Sequence, residues 1–137
     1  MALAQMVGEM TARIQNKGLD NLTAAWVAYA SLPKYIQWGT GTGAAASANV
    51  VTTTSTTEAR TTGTASQQTT TATNDTYQVT GTITAAGSRA ITEVGLFDAA
   101  GSGSPPTGGN MNVYADFSAI NLSSGDSIAF TIKVVFT

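Results

Sequence analysis

Three stretches of this chain alternate apolar and polar residues with a period of two, and that rhythm restricts the fold more than any other feature. Tyr77, Val79, Gly81 and Ile83 alternate with Gln78, Thr80, Thr82 and Thr84. Met111, Val113, Ala115 and Phe117 repeat the pattern, as do Ile128, Phe130, Ile132, Val134 and Phe136. Successive side chains of a strand point to opposite faces, so each stretch reads as a strand with one buried face. Ile91 to Asp98 is apolar on both faces, which predicts a central strand. Lys34 to Trp38 is a short strand rich in aromatic and β-branched residues. Residues 58 to 70 are Thr-rich with little to bury, and read as an edge strand or one that pairs across a subunit boundary. Ala85-Ala86-Gly87-Ser88 and Ser123-Ser124-Gly125-Asp126 carry turn chemistry. Gly101 to Gly109, with Pro105-Pro106, reads as an exposed loop. The expectation is a mainly β chain: a β-sandwich or small antiparallel barrel with a short N-terminal helical segment.

That segment covers residues 1 to 33. Helix-favouring residues dominate it, and no proline occurs before Pro33. Met6, Met10 and Ile14 form one stripe; Leu19, Leu22, Trp26 and Tyr29 form another at helical spacing. Gly18 reads as a break between two helices or a cap of the first, with Asp20 or Asn21 capping the second. The β domain then spans 34 to 137. Gly39 to Gly43 reads as a flexible turn, continued by a Gly/Ala/Thr-rich arm at about 40–57.

Composition narrows the function. The chain has 137 residues, which suits one domain. Only 10% are charged, against about a quarter in ordinary globular proteins. Low charge removes the repulsive guard against association, and such a surface resembles the centre of an interface. Much of it is therefore expected to face other protein. Six basic residues are scattered along a chain of net charge −2, so direct nucleic-acid binding is not expected. The chain has no Cys and no His. That excludes disulfides, thiolate metal sites, cysteine nucleophiles and histidine-based triads. No apolar run reaches the roughly 18 residues a membrane span needs. Residues 1–10 lack the basic start and apolar core of a secretory signal.

The motifs point away from catalysis. Gly39 to Gly43 lacks the Lys and Ser/Thr that end a phosphate loop, so a hinge is the better reading. Asp98, Asp116 and Asp126 lie in separate segments and suit turns and strand edges better than a cation site. Glu93 is the most informative charge. Period two places it on the face of Ile91 and Phe97, and a buried carboxylate must be paired or hydrogen-bonded. Arg60 and Arg89 are the candidate partners for a structural bridge. A general acid or base at Glu93 would need a second catalytic group and a pocket, and the sequence indicates neither. Trp26, Tyr35, Trp38 and Tyr114 are candidate interface aromatics. No cofactor or metal is implied.

Three stretches carry a resemblance: Lys34-Tyr-Ile-Gln-Trp-Gly-Thr-Gly-Thr-Gly43, Glu58-Ala-Arg60-Thr-Thr-Gly63-Thr, and Ile91-Thr-Glu93-Val-Gly95-Leu-Phe97-Asp98. Gly109-Asn-Met111 and Gly125-Asp126-Ser-Ile128 follow in order. Together they resemble small bacteriophage capsid decoration (cement) proteins, over about residues 34 to 137. The Ile91–Asp98 strand is also similar to one in collar modules of phage tail fibres. The resemblance implies a β-sandwich-like fold, a homotrimer, attachment to the major capsid protein, and no catalytic residues. It places the chain in a virion, on the capsid surface, after assembly in the host bacterial cytoplasm. A tail or tail-fibre component is the alternative. Against it stands the lack of a long shaft after the last core strand. A glycan-binding virion module, using exposed aromatics and the Gly101–Gly109 loop, is a third reading.

Overall fold

Alternation, β-branched content and Gly-rich turns produce seven strands and one helix in the computed structural model, which describes residues 13–45, 47 and 57–137. In chain order these are α1 (Asn16–Ala28), β1 (Tyr35–Gly39), β2 (Thr61–Thr62), β3 (Thr64–Gln68), β4 (Thr76–Thr84), β5 (Arg89–Phe97), β6 (Met111–Leu122) and β7 (Ser127–Val135). All pairings are antiparallel. They form a four-stranded sheet in the order β2-β1-β5-β6 and a three-stranded sheet in the order β3-β4-β7. The fold is a small β-sandwich, and β5 is central as its two apolar faces predict.

The core between the sheets is built from one face of each strand. Ile36 and Trp38 of β1 meet Leu96 and Val94 of β5 across the register. Tyr77, Val79 and Ile83 come from β4, and Phe130 from β7. Trp38 lies edge-on to Phe130 at 6.4 Å. The Tyr77 hydroxyl donates to the Pro33 carbonyl at 2.9 Å, so its buried polar tip has a partner.

The Thr-rich stretch is two strands. Gly63 separates β2 from β3 and carries the chain from one sheet to the other. Its N–H donates to Lys34 O at 2.8 Å. A Cβ on Gly63 would lie 2.5 Å from Val79 Cγ1 and 2.9 Å from both Lys34 O and Thr80 O. Only a residue without a side chain lets the backbones approach this closely.

The helical expectation is corrected in its details. Gly18, Asp20 and Asn21 all lie inside α1, so Gly18 neither breaks nor caps a helix. Gln15 precedes the helix and makes no side-chain cap; Lys17 pairs with Asp20 within the first turns. The helix ends at Ala28, and Tyr29 is already extended, so Pro33 lies beyond its end. Trp26 packs edge-on against Tyr77 at 5.0 Å and Phe136 at 5.4 Å, which seats α1 on one end of the sandwich. Met6, Met10 and most of the 40–57 arm fall outside the described residues.

Candidate functional site

Three buried charged side chains each hold a loop, and two of them, Glu58 and Arg60, stand two residues apart just before β2. Arg60 lies on the face of the four-stranded sheet away from the core. Its guanidinium stacks on Phe97 with 3.6 Å between Cζ and the ring centroid. Nε donates to Gln37 Oε1 at 2.8 Å, and Nη1 donates to Ala99 O at 2.9 Å and Gly108 O at 2.7 Å. The β5–β6 loop is thereby drawn over this face, and Gln37 Nε2 adds a bond to Pro106 O. Burial lowers the Arg60 pKa, and Asp98 opposes that shift. Asp98 in turn accepts from the Asn110 N–H at 2.7 Å and from its side-chain amide at 2.9 Å. Those bonds hold its carboxyl below the usual range.

Glu58 holds the β4–β5 turn. It accepts from Ala86 N at 2.9 Å and from the Trp38 indole at 3.4 Å, with Arg89 Nε at 3.5 Å. Burial raises its pKa, but the Ala86 N–H and the remaining donors outweigh that and the net shift is downward. Glu93 holds the segment after β1. It accepts from Gly41 N at 3.0 Å and from the Tyr114 hydroxyl at 2.8 Å. The Thr92 hydroxyl donates to Gly41 O at 2.5 Å, and Gly43 N donates to Asp116 at 2.9 Å. The glycine turn expected to be a hinge is pinned at both Gly41 and Gly43.

The expected bridge from Glu93 to an arginine does not form. Arg60 sits on Phe97, four residues further along β5, which is about 13 Å at strand rise. Arg89 lies beside Glu58 instead. Distance along the strand separates Glu93 from Arg60, and a register shift between Ile91 and Glu93 in the β5–β6 ladder puts Glu93 on the opposite face from Arg89. Ile91, Val94 and Leu96 all belong to the core cluster, so the face changes between Ile91 and Glu93. Glu93 shares a face with Phe97 but not with Ile91. A bulge of this kind moves a side chain to the opposite face without changing the sequence pattern around it.

The four candidate aromatics are also placed. Trp38 is wholly in the core, and Trp26 is half-buried and packs on that core. Tyr35 is half-buried with the Lys34 ammonium 5.8 Å from its ring. Tyr114 is half-buried and engaged with Glu93. Among the described residues, the large apolar side chains that do face solvent are Ile14, Leu22, Tyr29, Ile120 and Val135. Asp126 accepts from Ser123 N at 2.7 Å, so Asp98, Asp116 and Asp126 take the turn and strand-edge roles expected of them. Among the described residues no acidic group forms a metal-holding cluster.

A further buried carboxylate, Asp75, organises the end where α1 sits. It accepts from Thr70, Thr71 and Ala72 N–H at 2.9, 2.8 and 2.7 Å, and from the Thr76 hydroxyl at 2.8 Å. The Ala72 N–H is the largest of the influences that hold its pKa far below the usual carboxylate range. Beside it, Thr23 of α1 donates to Asn74 O at 2.6 Å, and Gln67 of β3 donates to Thr23 and to Asp20 O. A carboxylate that gathers several backbone donors orders a loop.

The two long flanks of the sandwich differ. On one, the outer strands β2 and β3 are short and made continuous by Gly63, and Gln67 of β3 bonds Thr23 of α1 at the end of the sandwich. On the other, β6 and β7 are the outer strands of their sheets, and no strand pairs their free edges among the described residues. The apolar side chains facing inward there, Val113, Phe117, Ile128, Ile132 and Val134, are only half-buried. No helix among the described residues is long and apolar enough to cross a membrane. Comparison with known proteins brings no match, whether to a family model, a curated protein or a solved structure.

Proposed function

We propose that this chain is a structural protein of a bacteriophage virion, a capsid decoration protein that joins as a trimer and binds the major capsid protein. One observation carries the reading. The separate stretches on which the resemblance rests interlock into one unit on the four-stranded sheet. Glu58 and Arg60 come from the second stretch. Arg60 holds Gln37 of the first and stacks on Phe97 of the third. Glu93 of the third holds Gly41 of the first. Asp98 holds Asn110 of the Gly109–Met111 run. Residues that build a single rigid unit are expected to recur together. The buried charges serve loops rather than a reactive cleft, which suits a protein whose task is to present fixed surfaces.

The physical logic of such a role is multivalency. Several modest contacts on one rigid trimer give far greater avidity than any one of them, without a large charged surface. The weakly charged composition fits repeated protein contacts.

The test is copy number in purified particles, by quantitative mass spectrometry against the major capsid protein. On the order of hundreds of copies per particle is the expected result, as a decoration role spread over the shell requires. A handful of copies would move the chain to a vertex or the tail and favour the tail-fibre reading, which shares the Ile91–Asp98 strand.

A further inference from the structure

We propose that the open β6/β7 flank is the surface on which a second copy of this chain docks, with β6 of one copy lying against β7 of the next. This rests on the self-assembly part of the reading above and assigns it to particular strands.

Four observations lead to it. First, the free edges are long: twelve residues in β6 and nine in β7. An edge strand presents a row of unpaired N–H and C=O groups, and proteins that stay apart blunt such edges with several charges, proline or bulging. β7 carries a single charged residue, Lys133, and pairs with β4 without a register break; β6 carries a single one, Asp116, and between its two register shifts Val113 to Asp116 stay in regular register; neither strand contains proline. Second, the core is unfinished on this side. Ile36, Tyr77, Val79, Ile91 and Leu96 are fully buried, whereas Phe117, Ile128, Ile132 and Val134 on the flank are only half-buried. Apolar side chains that point inward yet remain half-wet gain by being covered.

Third, the directions match. The strands from β4 to β7 reverse at each connection, and every pairing in both sheets is antiparallel. β6 and β7 therefore run in opposite directions, so in copies related by an axis parallel to the strands a neighbour's β7 meets β6 antiparallel, as in every pairing within the chain. Fourth, the faces and charges match. In β6 the inward row is Val113, Ala115 and Phe117, and Asp116 lies on the outward row, opposite Glu93. In β7 the inward row is Ile128, Phe130, Ile132 and Val134, and Lys133 lies on the outward row. Joining β6 to a neighbour's β7 makes the half-buried rows continuous inside. It also puts one acidic and one basic group on the same outer face. Complementary charge of this kind fixes partner and register more than it adds affinity.

The experiment measures the mass of the full chain in solution across a dilution series. It uses the natural sequence, Lys133→Asp, Asp116→Lys, and the double reversal. Each reversal alone is expected to raise the half-dissociation concentration by about tenfold or more, because it sets like charges against each other. The double reversal is expected to return it to within about threefold of the natural chain, which a merely structural defect would not do. Asp116 also accepts from Gly43, so a second, gentler pair accompanies it. Ser118→Cys on β6 and Thr131→Cys on β7 are made as separate chains, one of them mass-tagged, and mixed with a short bis-maleimide. The chain has no cysteine of its own, so a mixed cross-link reports only this contact. A mixed product in preference to either self-product supports the proposal. An oligomer that ignores the charge reversals and gives no mixed product would overturn it and leave self-assembly standing. A natural chain that remains a monomer at high concentration would remove both.

Discussion

The two flanks of this sandwich solve the same problem differently. Any open sheet must do something with its edges. On the β2/β3 flank the chain keeps the outer strands short and polar, crosses between the sheets at Gly63, and anchors the approach with Glu58 and Arg60. On the β6/β7 flank the strands are longer, almost uncharged and half-wet on their inner rows. The closed flank needs specific residues at specific points. The open flank keeps its general apolar character and waits for another surface. Stability of the chain should therefore be concentrated on one side and association on the other.

The sharpest way to break that contrast is at the crossing. Gly63→Val drives a side chain into Val79 and two backbone carbonyls. It should destabilise the fold by at least about 3 kcal/mol, the upper range for forced overpacking. Thermal unfolding measures it, and a small change would mean that the two sheets are not locked together there.

Arg60→Met comes next. It keeps the apolar stem against Phe97 but leaves Ala99 O, Gly108 O and Gln37 Oε1 without their donor. A loss of about 2 kcal/mol is expected, with faster hydrogen exchange confined to residues 98–110. Exchange that speeds up on β6 and β7 equally would contradict the division between flanks.

Asp75 sharpens the comparison through pH. Its folded pKa is depressed, chiefly by the Ala72 N–H. The stability it contributes is present above the unfolded carboxyl value of about 3.9. It is lost as the pH falls from there through the folded value. Asp75→Asn should thus weaken the chain at neutral pH, and the gap from the natural chain should narrow on acidification. Denaturant midpoints measured from pH 7 to pH 2 check the sign. A gap that widens in acid would rule out the ionised carboxylate as the organiser of the 70–76 loop.

The smallest effects belong to the open flank. Ile120 is 41% exposed and Val135 38%. Ile120→Ser and Val135→Ser should change the folding free energy of dissociated chain by no more than about 0.5 kcal/mol. Denaturation at high dilution measures this, and losses comparable to that of Arg60→Met would place the open flank within the chain's own core.

Much of this was legible because period two survives in a sequence whenever one face is buried. The strands at residues 77–84, 111–117 and 128–136 follow from that, and the central place of β5 follows from its two apolar faces. The side of Glu93 did not, because a register shift beside Thr92 exchanges faces without altering composition. Gly63 was equally hidden: one glycine in a Thr-rich run looks like a weak strand rather than a passage between sheets. Glu58 was missed, although a Glu and an Arg two residues apart in so weakly charged a chain were the available signal. Trp38 was read outward when it packs inward, since aromatic content alone does not tell a core from an interface.

The mass of the natural chain free in solution, measured by light scattering at micromolar concentration and above, tests self-association without any substitution. The expected species has three times the 13.9 kDa of one chain. A chain that stays at its single mass at every concentration would contradict it.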